Sequence, residues 1–132
     1  MTQNEKLVRS FLHMLETRTS TDELDNFYHP EVEQIEYPNS LTKNITVRNL
    51  QQLKEAAERG KKLLIKEEYE IKNFISFENT ILLECTWKGT LAIPLGAIPV
   101  GGQMIAHFAQ IFEIKDWKIF RQRNYDCFER FE

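Results

Sequence analysis

The stretch Ala106-His107-Phe108-Ala109-Gln110-Ile111-Phe112-Glu113-Ile114, continued by Lys115-Asp116-Trp117-Lys118 and Ile119-Phe120-Arg121-Gln122-Arg123-Asn124-Tyr125-Asp126-Cys127-Phe128, decides the reading of this chain. It spells two long antiparallel strands joined by a tight turn. Alternation along the second strand puts Phe120, Gln122, Asn124 and Asp126 on one face and Ile119, Arg121, Arg123, Tyr125 and Cys127 on the other. Neither face is plainly apolar, as at least one face of a strand that only filled a core would be. Amides and a carboxylate in phase, beside a strand rich in aromatics, predict the wall of a pocket.

Upstream of this hairpin the pattern changes character. Thr2 and Glu5 spell a capping box, and Leu7, Val8, Phe11, Leu12 and Leu15 recur at helical spacing up to about Thr17. Ser20 and Glu23 repeat the cap before a short second helix holding Leu24, Phe27 and Tyr28, which His29-Pro30 stops. Val32 to Tyr37 reads as a short strand ended by Pro38-Asn39. Thr46 is placed to cap a third helix burying Val47, Leu50, Leu53 and Ala57, with Gly60 as its stop. Beyond Gly60, Leu63 to Phe77 and Ile81 to Leu91 read as long strands around a turn at Glu78-Asn79. A loop with Pro94, Gly96, Pro99, Gly101 and Gly102 follows. Helices first and an antiparallel meander after them mean an α+β fold, with helices packed on one face of a curved sheet and a cavity between them.

Composition narrows the function. The chain has 132 residues, the length of a single domain spanning 1–132, and a net charge of -3, which offers no footprint for nucleic acid. Nine Phe, four Tyr and two Trp are enough for an aromatic-lined cavity. No apolar run reaches the roughly 18 residues of a membrane span, and Met1-Thr2-Gln3-Asn4-Glu5 lacks the pattern of a signal peptide. Cys85 and Cys127 are too few and too far apart for a disulfide framework, so the expectation is a cytoplasmic protein with reduced thiols. His13, His29 and His107 have no ligand-like spacing with one another or with a cysteine, so neither a metal nor a cofactor is expected.

The element order resembles the NTF2-like (cystatin-like) superfamily, and within it the SnoaL-like, polyketide-cyclase-like branch of uncharacterised function. The carriers are the helix pair ending Phe27-Tyr28-His29-Pro30-Glu31-Val32, the strand ending Tyr37-Pro38, and the hairpin Phe112-Glu113-Ile114-Lys115-Asp116-Trp117-Lys118-Ile119. The family pattern at that turn is Asp-Gly-Lys-Ile; Trp117 stands at the glycine, against the positive φ that the turn favours. The resemblance implies a cone-shaped α+β fold, with the N-terminal helices on a strongly curved mixed or antiparallel sheet that encloses a pocket. This fold hosts many activities, so catalytic sets have to be carried over one position at a time.

The aspartate base of ketosteroid isomerases, just before the proline ending the first strand, maps onto Tyr37, a phenol and a poor base near neutrality. Their helix tyrosine and strand carboxylic acid map onto Phe11 and Gln110, of which only Gln110 donates a hydrogen bond. The Arg-x-Asp pair of limonene-epoxide-hydrolase-like proteins maps onto Cys85 and Trp87, and their last-strand Asp onto Asn124. A SnoaL-type cyclase needs one carboxylate that removes a proton beside a carbonyl. Asp126, in phase with Asn124, is the carboxylate available.

The expected ligand-binding residues are therefore Phe11, Tyr37, Trp87, Gln110, Gln122 and Asn124, with Asp126 as the catalytic candidate. The scarcity of titratable groups at the family's catalytic positions favours binding of an apolar, carbonyl-bearing small molecule. The alternative is a cyclase or isomerase with Asp126 as general base and Tyr37, Gln110 and Asn124 as hydrogen-bonding partners. Arg121, Arg123 and Tyr125, on the opposite face, suit the outer-sheet interface of a homodimer.

Overall fold

A computed structural model describes residues 1–132. Helix α1 spans Gln3–Thr17 and starts at the expected capping box: the Thr2 hydroxyl accepts from the Glu5 N–H while the Glu5 carboxylate takes the Thr2 N–H. Its buried stripe is Val8, Phe11, Leu12 and Met14. The Ser20/Glu23 cap also forms, but it opens a 3-10 turn over Thr21–Asn26 rather than an α-helix. Tyr28 belongs to the first strand, β1 (Tyr28–Glu36), and not to the helix that the sequence predicts. Pro30 is tolerated there because the pairing with the last strand is interrupted between Tyr28 and Glu33, where no ladder bond needs its missing N–H.

A three-residue strand, β2 (Thr46–Arg48), occupies the place expected for the start of the next helix. Helix α2 (Leu50–Leu63) is capped by Asn49 in a box with Gln52, one turn later than the predicted Thr46 cap. Nor does it stop at Gly60. The helix runs through the glycine, and Leu64 caps it by donating its N–H to the Gly60 carbonyl as the chain turns straight into strand β3 (Leu64–Phe77). Strands β4 (Thr80–Leu91), β5 (Gln103–Lys115) and β6 (Lys118–Phe128) complete the predicted meander.

The sheet runs β2-β1-β6-β5-β4-β3, antiparallel everywhere except between β1 and β6, so it is mixed and open. Helix α1 packs over β3 and β4, and α2 over β1 and β3. No helix is long and apolar enough to cross a membrane.

Two irregularities reset the alternation read from sequence. Opposite the Glu113/Ile114 step, β6 holds one extra residue, so Ile119 is fully buried in the core while Phe120 packs under the Arg121 guanidinium, 3.8 Å from its ring centre. Phe120 thus leaves the face predicted for it, and Gln122 onward keep theirs, the expected effect of a bulge. In β3 a second bulge, between Ile71 and Asn73, brings Tyr69, Ile71 and then Phe74 to the same side. The β5–β6 turn keeps positive φ at both central residues, 54° at Asp116 and 64° at Trp117, despite the missing glycine. The core is built around Phe11, whose ring meets Phe27, Tyr28 and Phe112 edge-on.

Candidate functional site

Between the helices and the inner face of the sheet lies a cavity of about 520 Å³, within the range of small-molecule sites. Cross-strand register lays out the inner sheet face on which it lies. One row carries Glu36, Asn124, Gln110, Leu83 and Phe74; the next carries Asp126, Phe108, Cys85 and Ile71; a third carries Phe128, Ala106, Trp87 and Tyr69. Polar groups thus sit on β1, β6 and, with Gln110, β5, while an aromatic platform runs across β5 and β4. Trp87 stacks on Phe108 with centroids 5.6 Å apart, and Phe128 meets both rings edge-on. Gly89 makes room for this platform, since a Cβ there would fall 2.4 Å from the Trp87 ring.

Phe11, Trp87, Gln110, Gln122, Asn124 and Asp126 all line this one cavity. Tyr37 does not. It lies one residue past Glu36, so alternation turns it to the outer face, where it stacks on Tyr125 at 4.7 Å and 11°. The inward residue at this corner is Glu36, and Tyr37 is removed from the candidate set.

A hydrogen-bond relay orders the amides. The Tyr28 hydroxyl donates to Gln122 Oε1 at 2.6 Å, and Gln122 Nε2 donates to Asn124 Oδ1 at 2.9 Å. With its oxygen occupied, Asn124 is left with its amide nitrogen as the free end. Burial holds the Tyr28 and Tyr69 hydroxyls in their neutral, donating form by pushing both phenols above their ordinary range.

Asp126 faces Phe108 across the ladder. Burial is the main cause, and the negative charge of Glu36 the second, of a carboxyl pKa pushed up from 3.8 to about 7. Its Oδ1 is shut from solvent and accepts no hydrogen bond. Cys85, in the same row, is an inert thiol pushed up to about 12 by burial and then by Asp126. Glu36 behaves oppositely. Burial alone would raise it, but hydrogen bonds from Arg48 (2.7 Å) and Asn39 (2.8 Å) outweigh burial and hold it below the usual carboxylate range.

The cavity therefore carries more charge than the sequence suggested. Glu36 and Arg48 stand at its β1–β2 end, and Arg18 and Glu67 at its β3 end. Glu67 accepts from Trp87 Nε1 at 3.1 Å and from the Tyr69 hydroxyl at 3.4 Å, and burial raises its pKa. All four were missed. The alternation of β3 through Glu67, Tyr69 and Ile71 was the available signal for Glu67. Arg18 comes from the C-cap of α1, beyond the reach of any periodicity argument. His107 lies on the outer face with Glu129 at 2.8 Å, and no group of His, Cys, Asp and Glu able to hold a metal occurs.

Helices over a mixed sheet, with a polar-ended aromatic cavity between them, are an arrangement that can be set against known proteins. No protein-family model and no curated protein sequence matches the chain. Solved structures do. IdmH, a candidate polyketide cyclase from Streptomyces antibioticus, superposes with a TM-score of 0.78 over 95% of this chain and 92% of its own, at 10% identity. A SnoaL-like candidate polyketide cyclase from Jannaschia sp. CCS1 gives 0.74 over 94% and 85%, at 14% identity. An NTF2-like protein from Anabaena variabilis gives 0.70 over 98% and 95%, at 18% identity. The fold is the one these NTF2-like and SnoaL-like structures share.

Proposed function

We propose that the cavity takes up an apolar, carbonyl-bearing small molecule and that Asp126 acts on it as a general base. The observation that carries this reading is the position of Asp126: an under-solvated carboxylate on an aromatic wall, with its pKa pushed to about 7 and one oxygen without a partner. A base with a pKa near the working pH combines an adequate ionised fraction with a useful driving force for proton transfer. The carboxylate removes a proton from the carbon beside the carbonyl. The oxygen of the resulting enolate accepts from the Asn124 amide nitrogen, which the Tyr28–Gln122 relay leaves free, and from the amide of Gln110. Protonated Asp126 then returns the proton to another carbon, an isomerisation. If the enolate carbon first attacks a second carbonyl of the same molecule, Asp126 instead protonates the new alkoxide, a cyclisation. Two of the similar structures are candidate polyketide cyclases, which agrees with this class of chemistry.

Solvent exchange tests it. In deuterium oxide, wild-type protein is expected to speed loss of the α-proton NMR signals of 2-tetralone, with a rate that rises with pH and levels off above about 7. Asp126→Asn is expected to lower that rate by roughly 10²–10³-fold. Binding of the ketone with no exchange above background would leave the protein as a carrier.

A homodimer through the outer face belongs to the same proposal. Register places Val47, Ile35, Arg123, Ile111, Leu82 and Ile75 in one line across all six strands, five aliphatics around a single arginine. Val47 and Ile75 are more than half exposed, which suits cover by a second copy. Light scattering should then give twice the 15.7 kDa chain mass, and Ile75→Lys should shift it towards that of one chain.

A further inference from the structure

Three buried side-chain polar atoms lack a hydrogen-bond partner: Arg18 Nε, Gln110 Oε1 and Asp126 Oδ1. All three residues line the same cavity. Buried polar atoms are nearly always paired, because leaving one unmet costs about 1–3 kcal/mol, so three residues with unmet groups around one empty space point to a ligand that supplies the missing partners. The reading above accounts for Asp126 and uses the amide nitrogen of Gln110, whose Oε1 stays unmet. It leaves Arg18 out.

The Arg18 side chain is only 6% exposed, yet its guanidinium is poorly served. Of its five N–H donors, one is engaged, Nη2 to the Ala57 carbonyl at 2.9 Å. Nη1 stands 3.6 Å from Glu67, close enough for charge compensation and too far for a hydrogen bond. Glu67 meanwhile takes its hydrogen bonds from Trp87 and Tyr69. A buried cation so placed is costly unless something else accepts from it.

We infer that Arg18 forms a second recognition point of the cavity, reading a neutral acceptor oxygen at the end of the ligand remote from Asp126. Neutrality follows from Glu67: the guanidinium already has a countercharge beside it, and a ligand carboxylate would meet that carboxylate. Remoteness follows from the sheet. Asp126 is on β6, and Arg18 packs beside Glu67 on β3, three strands away, which is roughly 14 Å along the sheet and less across its concave interior. The Trp87–Phe108 platform lies between the two ends. The ligand that fits is an elongated aromatic or polyunsaturated molecule with a carbonyl at one end and a second, uncharged oxygen at the other. This rests on the proposed function for the Asp126 end, and on Arg18 alone for the other.

The test compares 4-acetylbiphenyl, which has one carbonyl, with 4,4′-diacetylbiphenyl, which has one at each end. Binding is followed by quenching of Trp87 in a Trp117→Phe background, since the chain has two tryptophans and Trp117 is outside the cavity. The diketone is expected to bind about tenfold more tightly, in line with one charge-assisted hydrogen bond. Arg18→Met should abolish that advantage. Because it strands Glu67 without its cation, the paired Arg18→Met/Glu67→Gln variant, which removes both charges, serves if the single variant fails to fold. Equal affinities in the wild-type cavity, or an advantage that survives loss of Arg18, overturn the second recognition point and leave the Asp126 reading standing. If neither ketone binds, both fall together.

Discussion

Asp126 is the residue at which stability and chemistry oppose each other. Its carboxyl pKa is about 7 in the folded protein against an ordinary 3.8, so between those values the native state holds a proton that the unfolded chain has lost. The stabilisation that goes with this proton is complete below the ordinary value and disappears as pH rises through about 7. Asp126→Asn, which cannot ionise, is therefore expected to be more stable than wild type at pH 8, by about 1–2 kcal/mol once partial solvation is allowed for. The difference should shrink towards pH 4, as thermal melts across that range would show. A gain that did not depend on pH would mean that the carboxylate is not the source. Trp117 shows a different local conflict: it adopts the left-handed conformation at 64° while remaining 72% exposed. The two-residue connection and the strand pairing on either side impose that geometry, at a cost usually of about 1–2 kcal/mol outside glycine.

At the scale of elements, β6 does most of the positioning. It lies between β1, which runs parallel to it, and β5, which runs antiparallel, so its inward side chains sit in the middle of the polar half of the cavity. The Tyr28–Gln122–Asn124 relay ties β1 to β6 on that inner face. Tyr28→Phe leaves buried Gln122 Oε1 without its donor and is expected to destabilise the protein by about 1–3 kcal/mol, measured by urea unfolding. It should also slow ketone α-proton exchange, because Gln122 is then free to turn and Asn124 loses its fixed orientation. A Tyr28→Phe protein with wild-type stability and exchange would show that the relay orders nothing. Elements marked by strong local signals were legible in the sequence: the capping boxes of α1 and the 3-10 turn, and the long alternating strands. The β1–α2 region was misread because its signals compete. Thr46 and Asn49 are both cap residues, and only pairing of Val47 with Ile35 makes the first of them part of a strand.

For the whole molecule, alternation alone puts Gln122, Asn124 and Asp126 in phase, and all three line the one cavity. Alternation failed wherever tertiary pairing decided the outcome. The bulge opposite Glu113 exchanges Ile119 for Phe120, and the turn of β1 directs Glu36 inward and Tyr37 outward. Arg18, Arg48 and Glu67 converge only when both helices are laid over the sheet, and no spacing in the chain announces that. What the fold achieves is an apolar enclosure with charge at each end and, near one of them, a carboxylate held at the edge of ionisation. The direct measure of that claim is the titration of Asp126 itself, followed through the carboxyl carbon by NMR of labelled protein with Asp126→Asn for assignment. A midpoint at about 7 is predicted; a midpoint near the ordinary aspartate value of about 4 would contradict it.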